Sequence, residues 1–230
     1  MRHGESEWNA EGNARAGQQY EMKGDETPYQ AEGVPDHLVP LTEKGHTQAL
    51  ATGVGLREKY GVLDVIYHSG YLRAKQTTED VLKAYSEEER KKIKIREHAR
   101  LRERESGYKF FMAEGQMDKL MPYYRGYFNT VGPFFASPPG GESHCQVCER
   151  VDPMIHEIFE LRDKLKVACI VHSGTKRALR YNLEKWTREK YEAEYAKNGS
   201  TPNCGVTEYN FNPTNGRLEL GAVRQLFYPH

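Results

Sequence analysis

The feature that most constrains the fold is a regular alternation of short apolar runs with stretches of helical periodicity. Residues 167–171 (Val-Ala-Cys-Ile-Val) form the most strand-like run, and residues 62–67 form a second one. Apolar residues at helical spacing occupy 41–60, 72–85, 142–161 and 174–186. This alternation predicts an α/β fold of three layers, with a mostly parallel sheet flanked by helices and ligands bound at the carboxyl ends of the strands.

The chain length favours one domain with two irregular segments. At 230 residues the chain can bury one sizeable core, and we interpret residues 1–230 as a single domain. Further short strands are predicted at 93–96, 206–211 and 218–223. Residues 10–40 are polar and predict a long surface loop, whereas residues 108–139 form an aromatic-rich insertion. The insertion is either a lid over a site or ordinary aromatic packing over the sheet.

The charge balance limits the partners of this chain. Lysine plus arginine equals aspartate plus glutamate at 33 each, so no large field of one sign exists to bind nucleic acid or an anionic membrane. No apolar run of about 18 residues and no secretory signal is present, which predicts a cytoplasmic protein with no membrane insertion. We expect a small anionic substrate as partner, and a homo-oligomer stays open.

The cysteines predict neither a disulfide scaffold nor a metal site. Cys145, Cys148, Cys169 and Cys204 are too few and too scattered for a disulfide framework in a chain of this length. Cys145 and Cys148 have the spacing of a zinc-ligand pair, but a structural zinc site needs a second pair at defined spacing. We therefore expect these thiols to pack near a helix start.

The segment Arg2-His3-Gly4 combines three residue types that suit phosphoryl chemistry. The planar guanidinium of arginine matches phosphate oxygens two at a time, and it is permanently charged. An imidazole can accept a phosphoryl group, and glycine lets an oxyanion approach the backbone closely. The segment predicts half of a phosphate pocket with His3 as candidate nucleophile.

Three further residues with suitable chemistry follow predicted strands. Arg73 lies at a helix start beyond the strand at 62–67, Glu103 follows the strand at 93–96, and His172 directly follows residues 167–171. The amino end of a helix favours anions because its first N–H groups are unpaired. Taken singly, the arginine and the glutamate are typical of solvated surface charges and the histidine of a structural residue. Their joint occurrence at strand ends favours a shared site.

Five motifs in this chain follow one another in the order known from a large enzyme family. They are Arg-His-Gly at 2–4 with Asn9, Leu-Arg-Ala-x-Gln-Thr at 72–77, Leu-x-Glu-Arg at 101–104, Gly-Gly-Glu-Ser at 140–143 and His-x-Gly-Thr-x-Arg-Ala-Leu at 172–179. From residue 2 to about 208 the chain resembles the histidine phosphatase superfamily, whose fold is phosphoglycerate mutase-like. The passages around 35–42, 134–143 and 186–204 resemble most the broad-range acid phosphatases.

The resemblance implies a phosphomonoester hydrolase that acts on small phosphorylated metabolites through a phosphohistidine at His3. It places Glu103 as the proton donor and Arg2, Arg73 and His172 as the clamp around the phosphoryl group, with no metal and no other cofactor. Cations around His3, including a charged His172, should lower the pKa of its imidazole and keep it neutral for attack. Further donors to the phosphoryl group or substrate are Asn9, Ser6 and Ser173, for which local turn and cap bonding is the alternative.

Departures from the family pattern leave two other functions open. The family usually has glycine where this chain has Ser173, and mutases usually have tyrosine where it has Ser106. The serine at 106 disfavours the first alternative, a cofactor-dependent phosphoglycerate mutase. Only Met1 precedes Arg2, where the family places a core strand, so we expect the sheet to lose apolar burial. That loss and Ser173 leave open the second alternative, a catalytically weak phospho-ligand-binding regulator.

Overall fold

The centre of the fold is a parallel sheet. The computed structural model describes residues 1–10, 34–107, 121–160, 165–198 and 201–229. Within them, the sheet consists of β1 (Val65–His68), β2 (Lys94–Glu97) and β3 (Val167–Ile170) in the order β2-β1-β3. Ile66 lies opposite Ile95 on one side and Ala168 on the other, both in parallel register. The carboxyl ends of the three strands therefore meet at one edge.

The first residues extend this sheet beside β3. The backbone N–H of His3 donates to the carbonyl of Val171 at 2.9 Å, and the N–H of Val171 donates to the carbonyl of Met1 at 2.9 Å. On the other side, the N–H of Arg2 donates to the carbonyl of Gly205 at 3.2 Å. The side chain of Met1 packs against the apolar cluster on one face of the sheet. His3 is thereby fixed at the carboxyl-end edge.

Helices cover both faces of the sheet. They are α1 (Glu43–Tyr60), α2 (Leu72–Leu82), α3 (Glu87–Arg90), α4 (Tyr124–Val131), α5 (His144–Glu160), α6 (Ser173–Leu183) and α7 (Arg188–Asn198). α1 begins after Thr42, whose hydroxyl accepts the N–H of Gly45 at 3.0 Å, and it ends at Gly61, whose φ of 70° suits glycine. α1 packs on α2, and α5 packs on α6.

The alternation of side chains along β1 divides the core in two. Ile66 lies in a cluster with Leu56 of α1 and Val81 of α2. The next residue, Tyr67, lies in a second cluster with Met154 of α5. Successive residues of a strand point to opposite faces, so one helix pair covers each face. The predicted α/β fold, with a parallel sheet flanked by helices, is confirmed.

Some elements differ from the expectation. The strands expected at 206–211 and 218–223 are β4 (Tyr209–Asn212) and β5 (Arg217–Leu220), an antiparallel pair that forms its own small sheet. Helix α7 was not predicted, because charged residues surround Tyr191 and leave no apolar stripe. Part of the loop predicted at 10–40, residues 11–33, lies outside the described residues.

The described part of the aromatic insertion contains α4, which the sequence pattern did not indicate. Phe134 is 3% exposed and packs against Tyr191, with 5.0 Å between ring centroids, so the packing interpretation holds for this residue. Residues 108–120 of the insertion lie outside the described residues, and the lid remains a prediction.

Two further expectations concern cysteines and membranes. All four cysteines are free thiols, and Cys148 is buried in the cluster that contains Phe134, as the packing prediction requires. Among the helices of the described residues, none combines the length with the apolar character that a bilayer crossing needs.

Candidate active site

A hydrogen bond to the backbone fixes the tautomer of the His3 imidazole. Its Nδ1 is 2.6 Å from the carbonyl oxygen of Gly4, and a carbonyl only accepts hydrogen bonds. The neutral ring therefore carries its proton on Nδ1, and Nε2 keeps a free electron pair. Gly4 is fixed in turn by its N–H, which donates to Thr77 of α2 at 3.0 Å. The backbone hydrogen bonds of this segment thus fix the ring of His3 with Nε2 unprotonated.

His172 is the second histidine of the site, directly beyond β3 and at the start of α6. Its ring centroid lies 5.0 Å from that of His3. Ser69, which follows β1, is hydrogen-bonded to Nε2 of His172 at 2.7 Å, and the ring of Tyr71 packs against it edge-on at 4.9 Å. Nδ1 of His172 is buried, and no described residue hydrogen-bonds to it. The two predicted histidines do come together.

Two buried arginines flank the histidine pair. Arg73 is at the start of α2, and its Nη1 donates to Asp36 through both the carbonyl at 2.5 Å and the carboxylate at 2.8 Å. Its guanidinium also lies over the ring of Tyr71 at 4.8 Å. Arg2 donates from Nη1 to the carbonyl of Thr201. Burial lowers the pKa of Arg2, which Glu103 opposes and Arg73 reinforces, so the three charges share one electrostatic environment.

The electrostatics keep both histidines neutral at pH 7. Burial, then Arg73 and Arg2, hold the pKa of His3 well below its usual range. Burial and Arg73 lower the pKa of His172 in the same way. The expectation that a charged His172 lowers the pKa of His3 is therefore wrong, since the ring that was expected to carry the charge is itself too deeply buried beside Arg73. The arginines supply the effect.

Glu103 reaches the site from the loop that follows β2. Its Oε1 accepts two backbone hydrogen bonds, from the N–H of Arg104 at 2.8 Å and from the N–H of Gly174 at 3.1 Å. Gly174 is the second residue of α6, so the carboxylate satisfies one of the unpaired N–H groups at that helix start. Both of these hydrogen bonds fall on Oε1, so Oε2 is the carboxylate oxygen that neither of them engages.

The three additional residues predicted for the site have hydrogen-bond partners within the protein. Ser6 and Asn9 bond reciprocally across a helical turn, since Asn9 Oδ1 accepts the N–H of Ser6 at 3.3 Å and Ser6 Oγ accepts the N–H of Asn9 at 3.4 Å. Ser173 Oγ accepts the N–H of Thr201 at 3.1 Å. The bonds between Ser6 and Asn9 match the capping alternative, whereas the bond of Ser173 joins two separate segments of the chain. A contact of these side chains with substrate remains a prediction.

Sequence reasoning missed a residue that holds several parts of the site together. The amide of Asn203 donates to the carbonyls of His3 and Gly4 at 3.2 and 2.9 Å and to Asn9 Oδ1 at 2.9 Å. Ser69 was missed for the same reason as Asn203: each is a short polar residue in a loop, without a periodic pattern around it.

Comparison with known proteins agrees with this geometry. The sequence pattern that defines the histidine phosphatase superfamily (branch 1) matches residues 1–223, and the chain belongs to this superfamily.

Similar proteins include both mutases and a phosphatase. The phosphoglycerate mutase-like protein AT74H of Arabidopsis thaliana is 28% identical over 214 residues, covering 84% of this chain and 67% of that protein. A 2,3-bisphosphoglycerate-dependent phosphoglycerate mutase of Bartonella tribocorum is 27% identical and covers 93% of this chain and 91% of its own length. A solved mycobacterial glucosyl-3-phosphoglycerate phosphatase in complex with VO3 has the same fold, with a TM-score of 0.67, 22% identity and coverage of 96% and 93%.

Proposed function

We propose that this protein hydrolyses small phosphomonoesters through a phosphohistidine at His3. The observation that carries the proposal is the tautomer of His3, whose Nδ1 proton is held by the Gly4 carbonyl while Nε2 keeps its electron pair. The low pKa of this ring keeps that pair available at neutral pH. Arg2 and Arg73 supply positive charge around the ring, where a phosphoryl group has to arrive.

In the first step, Nε2 of His3 attacks phosphorus, and the bond from phosphorus to the leaving oxygen breaks. Glu103, protonated for this step, passes its proton from Oε2 to that oxygen, so the product leaves as a neutral alcohol. As the proton departs, the carboxylate gains charge, which the N–H groups on Oε1 stabilise. The phosphoryl group is then bound to His3.

In the second step, a water molecule attacks the phosphoryl group and gives one proton to Glu103. The bond from phosphorus to Nε2 breaks, its electron pair returns to His3, and inorganic phosphate leaves. Both groups end in their starting protonation states. Proton transfer of this kind contributes about 10² to 10⁴ in rate.

The state of His172 also supports an oxyanion between the histidines. Its buried Nδ1 has no hydrogen-bond partner among the described residues. When Ser69 donates to Nε2, Nδ1 carries the ring proton and can donate to a phosphoryl oxygen. A buried polar atom without a partner costs about 1 to 3 kcal/mol, and a bound phosphoryl group removes that penalty.

A phosphoglycerate mutase is the second candidate, because curated relatives such as the Bartonella tribocorum protein have that activity in their names. A mutase must retain the phosphoryl group until it is transferred back to substrate. Ser106 stands where mutases usually have a tyrosine for holding substrate, which favours capture of the phosphoryl group by water.

Phosphorus NMR distinguishes these functions. The protein is incubated with 3-phosphoglycerate and, separately, with p-nitrophenyl phosphate, each with and without a 2,3-bisphosphoglycerate primer, in the presence of EDTA. We expect inorganic phosphate at a rate that does not depend on the primer. Primer-dependent exchange of the 2- and 3-isomers would instead establish a mutase. Saturable binding with no product would leave a phospho-ligand-binding regulator.

A further inference from the structure

Arg150 of α5 reaches into the loop that carries Glu103. Its Nη2 donates to the backbone carbonyls of Arg102 and Glu103, each at 3.0 Å, and its Nη1 donates to the carbonyl of Arg100. The side chain is 11% exposed. One guanidinium therefore holds three carbonyls of a short segment that includes the backbone of Glu103 itself.

Glu142 holds both that guanidinium and the far side of the same loop. Its Oε1 accepts from Nε of Arg150 at 2.7 Å, and its Oε2 accepts from Nη2 of Arg150 at 3.0 Å, which is a bidentate pair. Oε2 also accepts the backbone N–H of Glu105 at 3.1 Å. Burial opposes its ionisation, but the hydrogen bonds from Arg150 and from the Glu105 backbone hold the pKa of Glu142 below its usual value.

Arg150 and Glu142 thus hydrogen-bond to the backbone on either side of Glu103 and make no hydrogen bond to its carboxylate. The residues from 102 to 106 belong to neither helix nor strand, so no regular backbone ladder fixes them. Proton transfer needs the carboxylate within hydrogen-bond reach of the leaving oxygen, and an error of about 1 Å in position can reduce a rate about 10²-fold. A loop without regular structure needs another source of rigidity for that task.

We propose that Arg150 and Glu142 are positioning residues that hold Glu103 for proton transfer to the leaving group. The proposal rests on the proposed function, because it takes Glu103 as the proton donor. It predicts that disrupting the pair lowers kcat for substrates that need a proton on the leaving oxygen and leaves kcat nearly unchanged for substrates that do not.

The test compares an alkyl phosphate with p-nitrophenyl phosphate, whose leaving group barely needs a proton. Arg150→Lys keeps the charge but loses the planar fork, and Glu142→Gln keeps the shape but loses the charge. We expect each to lower kcat for glycerol phosphate by roughly 10- to 100-fold and kcat for p-nitrophenyl phosphate by less than about 3-fold. Arg57→Lys is the matched control, because Arg57 makes a similar bidentate pair with Glu89 on the surface of α1.

Two reference variants distinguish a failure of the positioning role from a failure of the assignment of Glu103 as proton donor. Glu103→Gln alone should show the same selectivity for leaving groups, and adding Arg150→Lys to Glu103→Gln should cause no further loss on glycerol phosphate, since the proton donor is already gone. Equal losses of Arg150→Lys on both substrates, or additive losses in the double variant, would overturn the positioning role while the proposed function stands. Equal losses for Glu103→Gln itself would overturn the assignment of Glu103 as proton donor and, with it, the positioning role, whereas the proposed phosphohistidine at His3 is tested separately. If Arg150→Lys does not fold, Glu142→Gln decides by the same comparison.

Discussion

Gly174 offers a direct way to move the carboxylate of Glu103 without changing Glu103. A β-carbon at this position would lie 2.8 Å from Glu103 Oε1 and 3.2 Å from the β-carbon of Arg104. The first separation is below what real side chains tolerate, so in Gly174→Ala the carboxylate has to shift. It then loses the N–H of residue 174, which now donates at 3.1 Å.

The size of the effect follows from that lost hydrogen bond. A hydrogen bond to a charged group contributes about 1.5 to 3 kcal/mol, and the carboxylate gains its charge as it gives up the proton. Because about 1.4 kcal/mol corresponds to tenfold in rate, we expect kcat for glycerol phosphate to fall roughly 10- to 150-fold. Residue 174 lies within a helix, so alanine suits the backbone and the loss reflects displacement alone.

The assay is release of inorganic phosphate from glycerol phosphate and from p-nitrophenyl phosphate, together with thermal unfolding of each variant. Gly126→Ala in α4 is the matched control, because a β-carbon there has no atom within 4 Å. Undiminished turnover of glycerol phosphate by Gly174→Ala, with an unchanged unfolding temperature, would refute the role assigned to the contact between Gly174 and Glu103.

Three other perturbations test the site and its electrostatics. Asn203→Ala removes an amide that donates to three acceptors, so kcat/KM for p-nitrophenyl phosphate should fall by about tenfold. In Asn203→Asp the fall in kcat/KM should be larger, because a carboxylate would then face carbonyl oxygens. Wild-type values of kcat/KM in both variants would contradict this role of the amide. The pKa of His3 in the folded protein lies below the 6.5 of an unfolded histidine, so the unfolded chain binds more protons as pH falls and the free energy of unfolding drops. Urea titrations from pH 6.5 to 5 should show that the free energy of unfolding depends on pH less steeply in His3→Gln than in the wild type, by about 1.4 kcal/mol per pH unit. An equally steep dependence in both proteins would count against a low pKa of His3. Burial lowers the pKa of Lys176 from 10.5 to about 7, so the destabilisation of the folded protein by the buried charge grows as pH falls through that interval and is complete below it. Lys176→Met should therefore raise the unfolding temperature more at pH 6 than at pH 10. The opposite order would be inconsistent with a buried charge on Lys176.

The cluster of candidate catalytic residues could be predicted from the sequence because its members occur where parallel strands end. His172 lies two residues beyond the end of β3 and Glu103 follows β2, so the topology alone brings their positions to one edge. Asn203 was not predicted because it lies 200 residues from His3 in the sequence and contacts it through the amide of a loop residue, which no periodic pattern indicates. Polar contacts made by loops depend on the tertiary arrangement and leave no local signal.

The same limit explains what was missed in the fold. α7 carries charges around most of its circumference, so only the buried Tyr191, at 1% exposure, reveals its inner face once the structure is known. The contacts of Arg150 were likewise hidden, since an arginine on a helix is ordinarily a solvated charge. Its partners are carbonyls of a loop nearly fifty residues earlier in the chain.

Chemical capture of the phosphorylated residue tests most directly whether His3 accepts the phosphoryl group. The wild-type protein is mixed with p-nitrophenyl phosphate, quenched in alkali within milliseconds and digested for mass spectrometry. We expect phosphate that survives base but not acid, carried by the peptide that contains His3, and no such peptide from His3→Gln, which should also retain less than a few percent of the turnover. Phosphate on another residue such as His172, or substantial turnover by His3→Gln, would contradict the assignment of His3 as the phosphoryl acceptor.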